Sequence, residues 1–62
     1  MTTARYRREL MLLARRYGRE ARINGHIRLV GATKPDIHCS GSPRRPEVAL
    51  AATERLLRRY AP

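Results

Sequence analysis

The sequence predicts an α+β fold: a helix, a three-stranded antiparallel meander and a second helix (α-β-β-β-α), with both helices on one face of the sheet. Three observations point there. Apolar residues recur at helical spacing near both ends of the chain, whereas apolar and polar residues alternate in its middle. Turn-forming residues, namely Gly18, Asn24-Gly25, Pro35-Asp36 and the prolines at 43 and 46, separate these stretches. A chain of 62 residues holds one small domain, residues 1–62.

The first helix is expected over about Thr3 to Tyr17, with Gly18 ending it at C′. Tyr6, Leu10, Leu13 and Tyr17 share a narrow stripe on a helical wheel, with Ala14 and Thr3 at its edge, and this stripe belongs to the core. Arg5, Arg8, Arg15 and Arg16 occupy the other side. Met11 and Leu12 also lie off the stripe and are the candidates for a protein contact.

In the middle, Ile27 and Leu29 alternate with His26, Arg28 and Val30; after the turn-forming Lys34-Pro35-Asp36, Ile37 and Cys39 alternate with His38. A preceding strand, about Arg19 to Ile23, joins the His26 strand through Asn24-Gly25, a strong hairpin signal. A two-residue Asn24-Gly25 turn pairs Ile23 with His26 and puts Arg22 on the face of Ile27. A three-residue loop, Ile23-Asn24-Gly25, with Gly25 left-handed, pairs Ala21 with Ile27 and Arg22 with His26. The second register keeps the apolar face whole, which a one-residue slip destroys, and it is the one expected.

The last helix opens in "GSPRRPE". Ser42 can cap a turn that begins at Pro43, and Pro46 equally fits a helix start, so the onset lies at either proline. From Pro46 to Tyr60, the residues Ala49, Ala52, Thr53, Leu56, Leu57 and Tyr60 form the expected buried stripe. Glu54 and Arg58 are spaced for an i,i+4 ion pair on the solvent side.

Net charge is +9, from 14 Lys+Arg against 5 Asp+Glu, and thirteen of the basic residues are arginine. Arginine's planar fork suits phosphate and stacks on bases. So basic a domain attracts polyanions at long range, and the attraction weakens with salt, which makes nucleic acid the first partner expected. The single cysteine, Cys39, excludes an intramolecular disulfide, and no Cys/His spacing fits zinc, so neither metal nor cofactor is expected. A lone thiol suits a cytoplasmic setting. No apolar run approaches the ~18 residues of a membrane span. The Arg-rich start resembles a transit peptide or membrane-surface helix in composition, but the strand and helix pattern that follows favours a folded domain with no membrane partner. Without a staple, such a domain leans on a partner or on self-association, as a homodimer for instance, for part of its stability.

By the alternation, His26, Arg28 and His38 point away from the helices, and Arg22 joins them in the expected register. Two histidines and two arginines on one open face fit RNA cleavage. A base takes the proton of a ribose 2′-OH, an acid protonates the leaving 5′-oxygen, and cations stabilise the charge on phosphorus. Histidine serves either proton-transfer role, and arginine holds phosphate in a bidentate manner. The same histidines also fit the wet side of an ordinary sheet. Arg44 and Arg45, at the start of the last helix, make a second candidate phosphate site, because the unpaired N–H groups there already favour an anion; a simply solvated pair of charges fits as well.

With a leading amphipathic helix, then "NGHIRLV", then "IHCSGSPRRPEVALAATERLLRR", the chain resembles the HicA-like group of small toxins and their phage-encoded relatives over about residues 5 to 60. The resemblance implies a fold similar to the double-stranded RNA-binding domain and the activity of a ribosome-independent mRNA interferase held inactive by an antitoxin. It makes His26 the active-site histidine and puts Arg44 and Arg45 where such domains meet phosphates. Gly25 directly precedes His26 here and Ile27 follows it, a form closer to the phage-type variants, whose activity the fold alone does not imply. The expectation is a small nucleic-acid-binding protein, RNA preferred, that cleaves without a metal through His26, with His38 as second candidate. Arg22, Arg28, Arg44 and Arg45 hold phosphates. The alternative is a non-catalytic protein that binds an acidic host or antitoxin-like protein, using Met11 and Leu12.

Overall fold

A computed structural model describes residues 1–31 and 35–61 of the chain. The elements follow the expected order: α1 (Thr3–Arg16), β1 (Arg19–Asn24), β2 (His26–Gly31), β3 (Ile37–Cys39) and α2 (Pro46–Arg59). The strands form one antiparallel sheet in the order β1-β2-β3, and both helices pack on one face of it.

Thr2 starts α1 in extended backbone, its hydroxyl accepting from the Arg5 N–H at 3.1 Å. The helix stops where Tyr17 and then Gly18, at φ +72°, donate to the carbonyls of Ala14 and Arg15. The core joins Tyr6, Leu10 and Ala14 of α1 to Ile27 and Leu29 of β2, Ile37 of β3 and Leu57 of α2. Burying each of the larger side chains is worth about 1.5–3 kcal/mol, which is what holds so short a chain in one arrangement.

The β1–β2 register differs from the expected one. Ala21 faces Leu29, Arg22 faces Arg28, Ile23 faces Ile27 and Asn24 faces His26, so only Gly25 separates the strands. Gly25, at φ +74°, does take the left-handed conformation, but it turns the chain in fewer residues than the three-residue loop supposed. The tighter turn lengthens the ladder. Because the slip is two residues, every side chain keeps its face.

Of the two prolines expected to open α2, the structure selects Pro46: the N-cap is Arg45, and Ser42 does not cap the helix. The expected buried stripe is corrected. Ala52 and Leu56 are exposed rather than buried; Thr53 and Leu57 are buried, with Ala49 and Leu50 packed beside them. The buried arc is turned toward Leu50, because α1 lies along that flank. Lys34 of the expected Lys34-Pro35-Asp36 turn is outside the described residues.

Polar contacts tie the two ends of the molecule. At one end, Tyr6 OH donates to Ser40 O at 2.8 Å and Arg7 Nε donates to Gly41 O at 3.3 Å, holding the segment after β3 against α1. At the other, Glu54 Oε2 lies 3.5 Å from Tyr17 OH and 3.2 Å from Arg58 Nη2, while Arg58 Nε donates to Tyr17 OH at 3.2 Å. The expected Glu54–Arg58 pair thus also bridges the helices. Arg19, on the helix-facing side of β1, is buried. Its Nη1 donates to the carbonyls of Leu29 and Pro35, while Nη2 has no partner among the described residues.

Candidate nucleic-acid interface

The alternation that sends Ile27 and Leu29 into the core sends His26 and Arg28 outward on β2, Arg22 and Asn24 outward on β1, and His38 outward on β3. All five are exposed, and together they line a groove of about 260 Å³ on the open sheet face. Register fixes who neighbours whom. Arg28, on the central strand, faces Arg22 on one side and His38 on the other. His26 faces Asn24 in the next row and is diagonal to both Arg22 and His38. Opposed side chains on a sheet start about 5 Å apart and diagonal ones about 7–8 Å, so His26 and His38 can act on one small group.

Placing Arg22 directly opposite Arg28 is locally unfavourable. Among the described residues, no carboxylate or hydrogen-bond acceptor pairs with Arg22, His26, Arg28 or His38. Glu20 is on the same face, opposite Val30, outside the groove lining. A bound anion would offset the repulsion, and arginine's fork fits a phosphate.

Arg44 and Arg45 are exposed and do not line the groove. They follow the Ser40–Ser42 segment, in which a Cβ on Gly41 would come within 2.5 Å of Gly25 O. The turn carrying His26 and the segment leading to Arg44 therefore touch. The starts of both helices lie at this end too: Met1 N is 3.9 Å from Glu47 Oε1. Arg45 adopts φ −122°, ψ 86° as the N-cap and makes no side-chain cap bond, leaving first-turn N–H groups for another acceptor.

The remaining candidates lie elsewhere. Leu12 lines a separate groove between the helices with Leu13, Leu50 and Ala51; Met11, its neighbour in the chain, is also exposed but does not line that groove. Cys39 is half-buried on the helix side, its Sγ 3.6 Å from Thr53 Oγ1, and burial pushes its thiol above the ordinary range. It is therefore placed as a packing residue rather than a nucleophile. Among the described residues, no group of three His, Cys, Asp or Glu could hold a metal. Asn24 is the site residue that sequence reasoning missed. It shares its parity with Arg22, but the supposed loop absorbed it.

Among the described residues, no helix is long and apolar enough to cross a membrane. Comparison with protein-family models, curated proteins and solved structures gives no match to the chain.

Proposed function

We propose that this protein binds RNA across the open face of its sheet and cleaves it with histidine acid–base chemistry, the mRNA-interferase activity that its resemblance to the HicA-like toxins implies. The supporting observation is the single groove shared by Arg22, His26, Arg28 and His38, with no carboxylate pairing any of them among the described residues. Arg28, flanked by Arg22, holds the scissile phosphate. His26 takes the proton of the 2′-OH as that oxygen attacks phosphorus, and His38 protonates the 5′-oxygen as the P–O5′ bond breaks. The products are a 2′,3′-cyclic phosphate and a 5′-hydroxyl end. Two groups able to hold and release a proton suffice for this reaction, and Arg22 and Arg28 stabilise the charge gathered on phosphorus. Arg44 and Arg45 take the next phosphates along the strand.

The test is a cleavage and binding assay on a labelled single-stranded RNA. His26→Ala is expected to slow cleavage by about 10²–10⁴-fold, the usual worth of a general acid or base, with RNA affinity changed by less than about threefold. Arg28→Ala is expected to weaken binding itself. Retained binding with no cleavage by the wild type would remove the catalytic half of the proposal. Failure to shift RNA at low salt would remove all of it.

A further inference from the structure

The outward face of α2 carries an apolar stripe that the fold leaves uncovered. Val48 is 57% exposed and Leu56 39%, with Ala52, also exposed, between them at successive helical turns. Scattered surface apolars are ordinary; an aligned set is not. Ala52 and Leu56 share a shallow groove of about 380 Å³ with Arg55 and Arg59. Those two arginines make no ion pair among the described residues. The acids of this helix lie off the groove: Glu47 beside the N-terminal amine and Glu54 with Tyr17 and Arg58.

We propose that this face docks an acidic amphipathic helix of a partner protein, its aliphatic side chains on Val48, Ala52 and Leu56 and its carboxylates on Arg55 and Arg59. An apolar stripe read at one-turn spacing is how a helix recognises a groove, and the flanking charge selects an acidic one. A second copy of this chain fits poorly. Across a two-fold axis the same patch meets itself, setting Arg55 and Arg59 against their own kind in a chain of net charge +9. An anionic membrane fits poorly too, since surface helices bury wide faces rich in Trp, Phe or Leu and this one offers two large aliphatics. RNA would use the arginines but leave the stripe idle. The stripe lies on the side of α2 away from the core, so the docked helix leaves the open-face groove of Arg22, His26, Arg28 and His38 uncovered.

Two synthetic peptides of identical Leu, Ala and Glu composition test this, one with leucines at helical spacing and one scrambled, each titrated into isotope-labelled full-length protein. The ordered peptide is expected to bind at least tenfold tighter than the scrambled one and to shift the amides of Val48, Ala52, Arg55, Leu56 and Arg59. Leu56→Glu, with folding checked by circular dichroism, is expected to lose at least tenfold. The fully surface variant Arg55→Glu/Arg59→Glu is expected to lose binding to the Glu peptide and gain it for a Lys version, and His26→Ala to bind as the wild type does. Equal binding of both peptides, binding of neither, or shifts confined to the open sheet face would overturn the proposal. So would a dimer in sedimentation that Leu56→Glu abolishes, or cosedimentation with phosphatidylserine vesicles tighter than peptide binding.

Discussion

Gly41 and Gly25 approach each other closely, and this contact lies one residue from His26. A Cβ on Gly41 would sit 2.5 Å from Gly25 O, and no rotamer change moves a carbonyl out of the way. Gly41→Ala is therefore expected to displace the turn, destabilising the protein by about 1–3 kcal/mol as overpacking does, and to lower cleavage more than that loss explains. Gly25 is limited differently. Nothing lies within 4 Å of its absent Cβ, but its φ is +74°, so Gly25→Ala costs about 1–2 kcal/mol of backbone strain. Urea unfolding of both variants beside a cleavage assay checks the pair; a Gly41→Ala protein as stable and active as wild type would contradict the close contact. Cys39 gives a pH dependence. Burial raises its thiol, the Thr53 hydrogen bond opposing in part, so the folded state holds that proton more tightly than the unfolded one. Stability is then full below the ordinary thiol range and falls as pH rises through it. Tyr6, raised by burial and then by Cys39, extends the fall at higher pH. The urea midpoint should drop between about pH 8 and pH 10, and Cys39→Ala should lessen the drop.

At the scale of elements, α2 begins in a way that stability alone does not favour. The N-cap position prefers Ser, Thr, Asp or Asn, and the positive end of the helix dipole disfavours cations; Arg45 occupies it, with Arg44 before it and no side-chain cap bond. Arg45→Asp is therefore expected to stabilise the fold by about 0.5–2 kcal/mol while weakening RNA binding. Thermal unfolding and an RNA titration read the two effects, and a variant that is destabilised or binds RNA unchanged contradicts the phosphate role. The helices also show what the sequence made legible. The membership of each sheet face followed from alternation, and it survived an error of two residues in the β1–β2 register because side chains repeat every two residues. Neighbours did not survive it: Arg22 faces Arg28 rather than His26, and Asn24 joins the groove. Only the tight turn at Gly25 decides that. Likewise α2 presents more apolar positions than it can bury. Periodicity alone could not say that Leu50 would pack beside the core while Ala52 and Leu56 stayed outside, because the choice depends on where α1 lies.

For the whole molecule, the balance lies between a small core and a large charge of one sign. A net +9 is confined to a body of 31 × 21 × 15 Å. At about 0.01 M salt the screening length is roughly 30 Å, so every arginine feels the others; at about 0.1 M it is roughly 10 Å and repulsion across the molecule is largely gone. Self-repulsion destabilises the compact state, so adding salt should raise the thermal midpoint of the free protein. The same salt should weaken RNA binding, since each neutralised phosphate releases counterions and contributes about 0.7 to the slope of log K against log salt for a single strand. Stability and affinity should therefore move in opposite directions across one titration. The slope also shows which arginines meet phosphate. Arg22→Ala, Arg28→Ala, Arg44→Ala and Arg45→Ala should each reduce it by about 0.7, while Arg55→Ala on the outward face of α2 should leave it unchanged. Equal slopes for all five variants would mean that RNA is held by net charge alone, with no defined track. A midpoint indifferent to salt would mean that the charges are too well solvated to strain the fold.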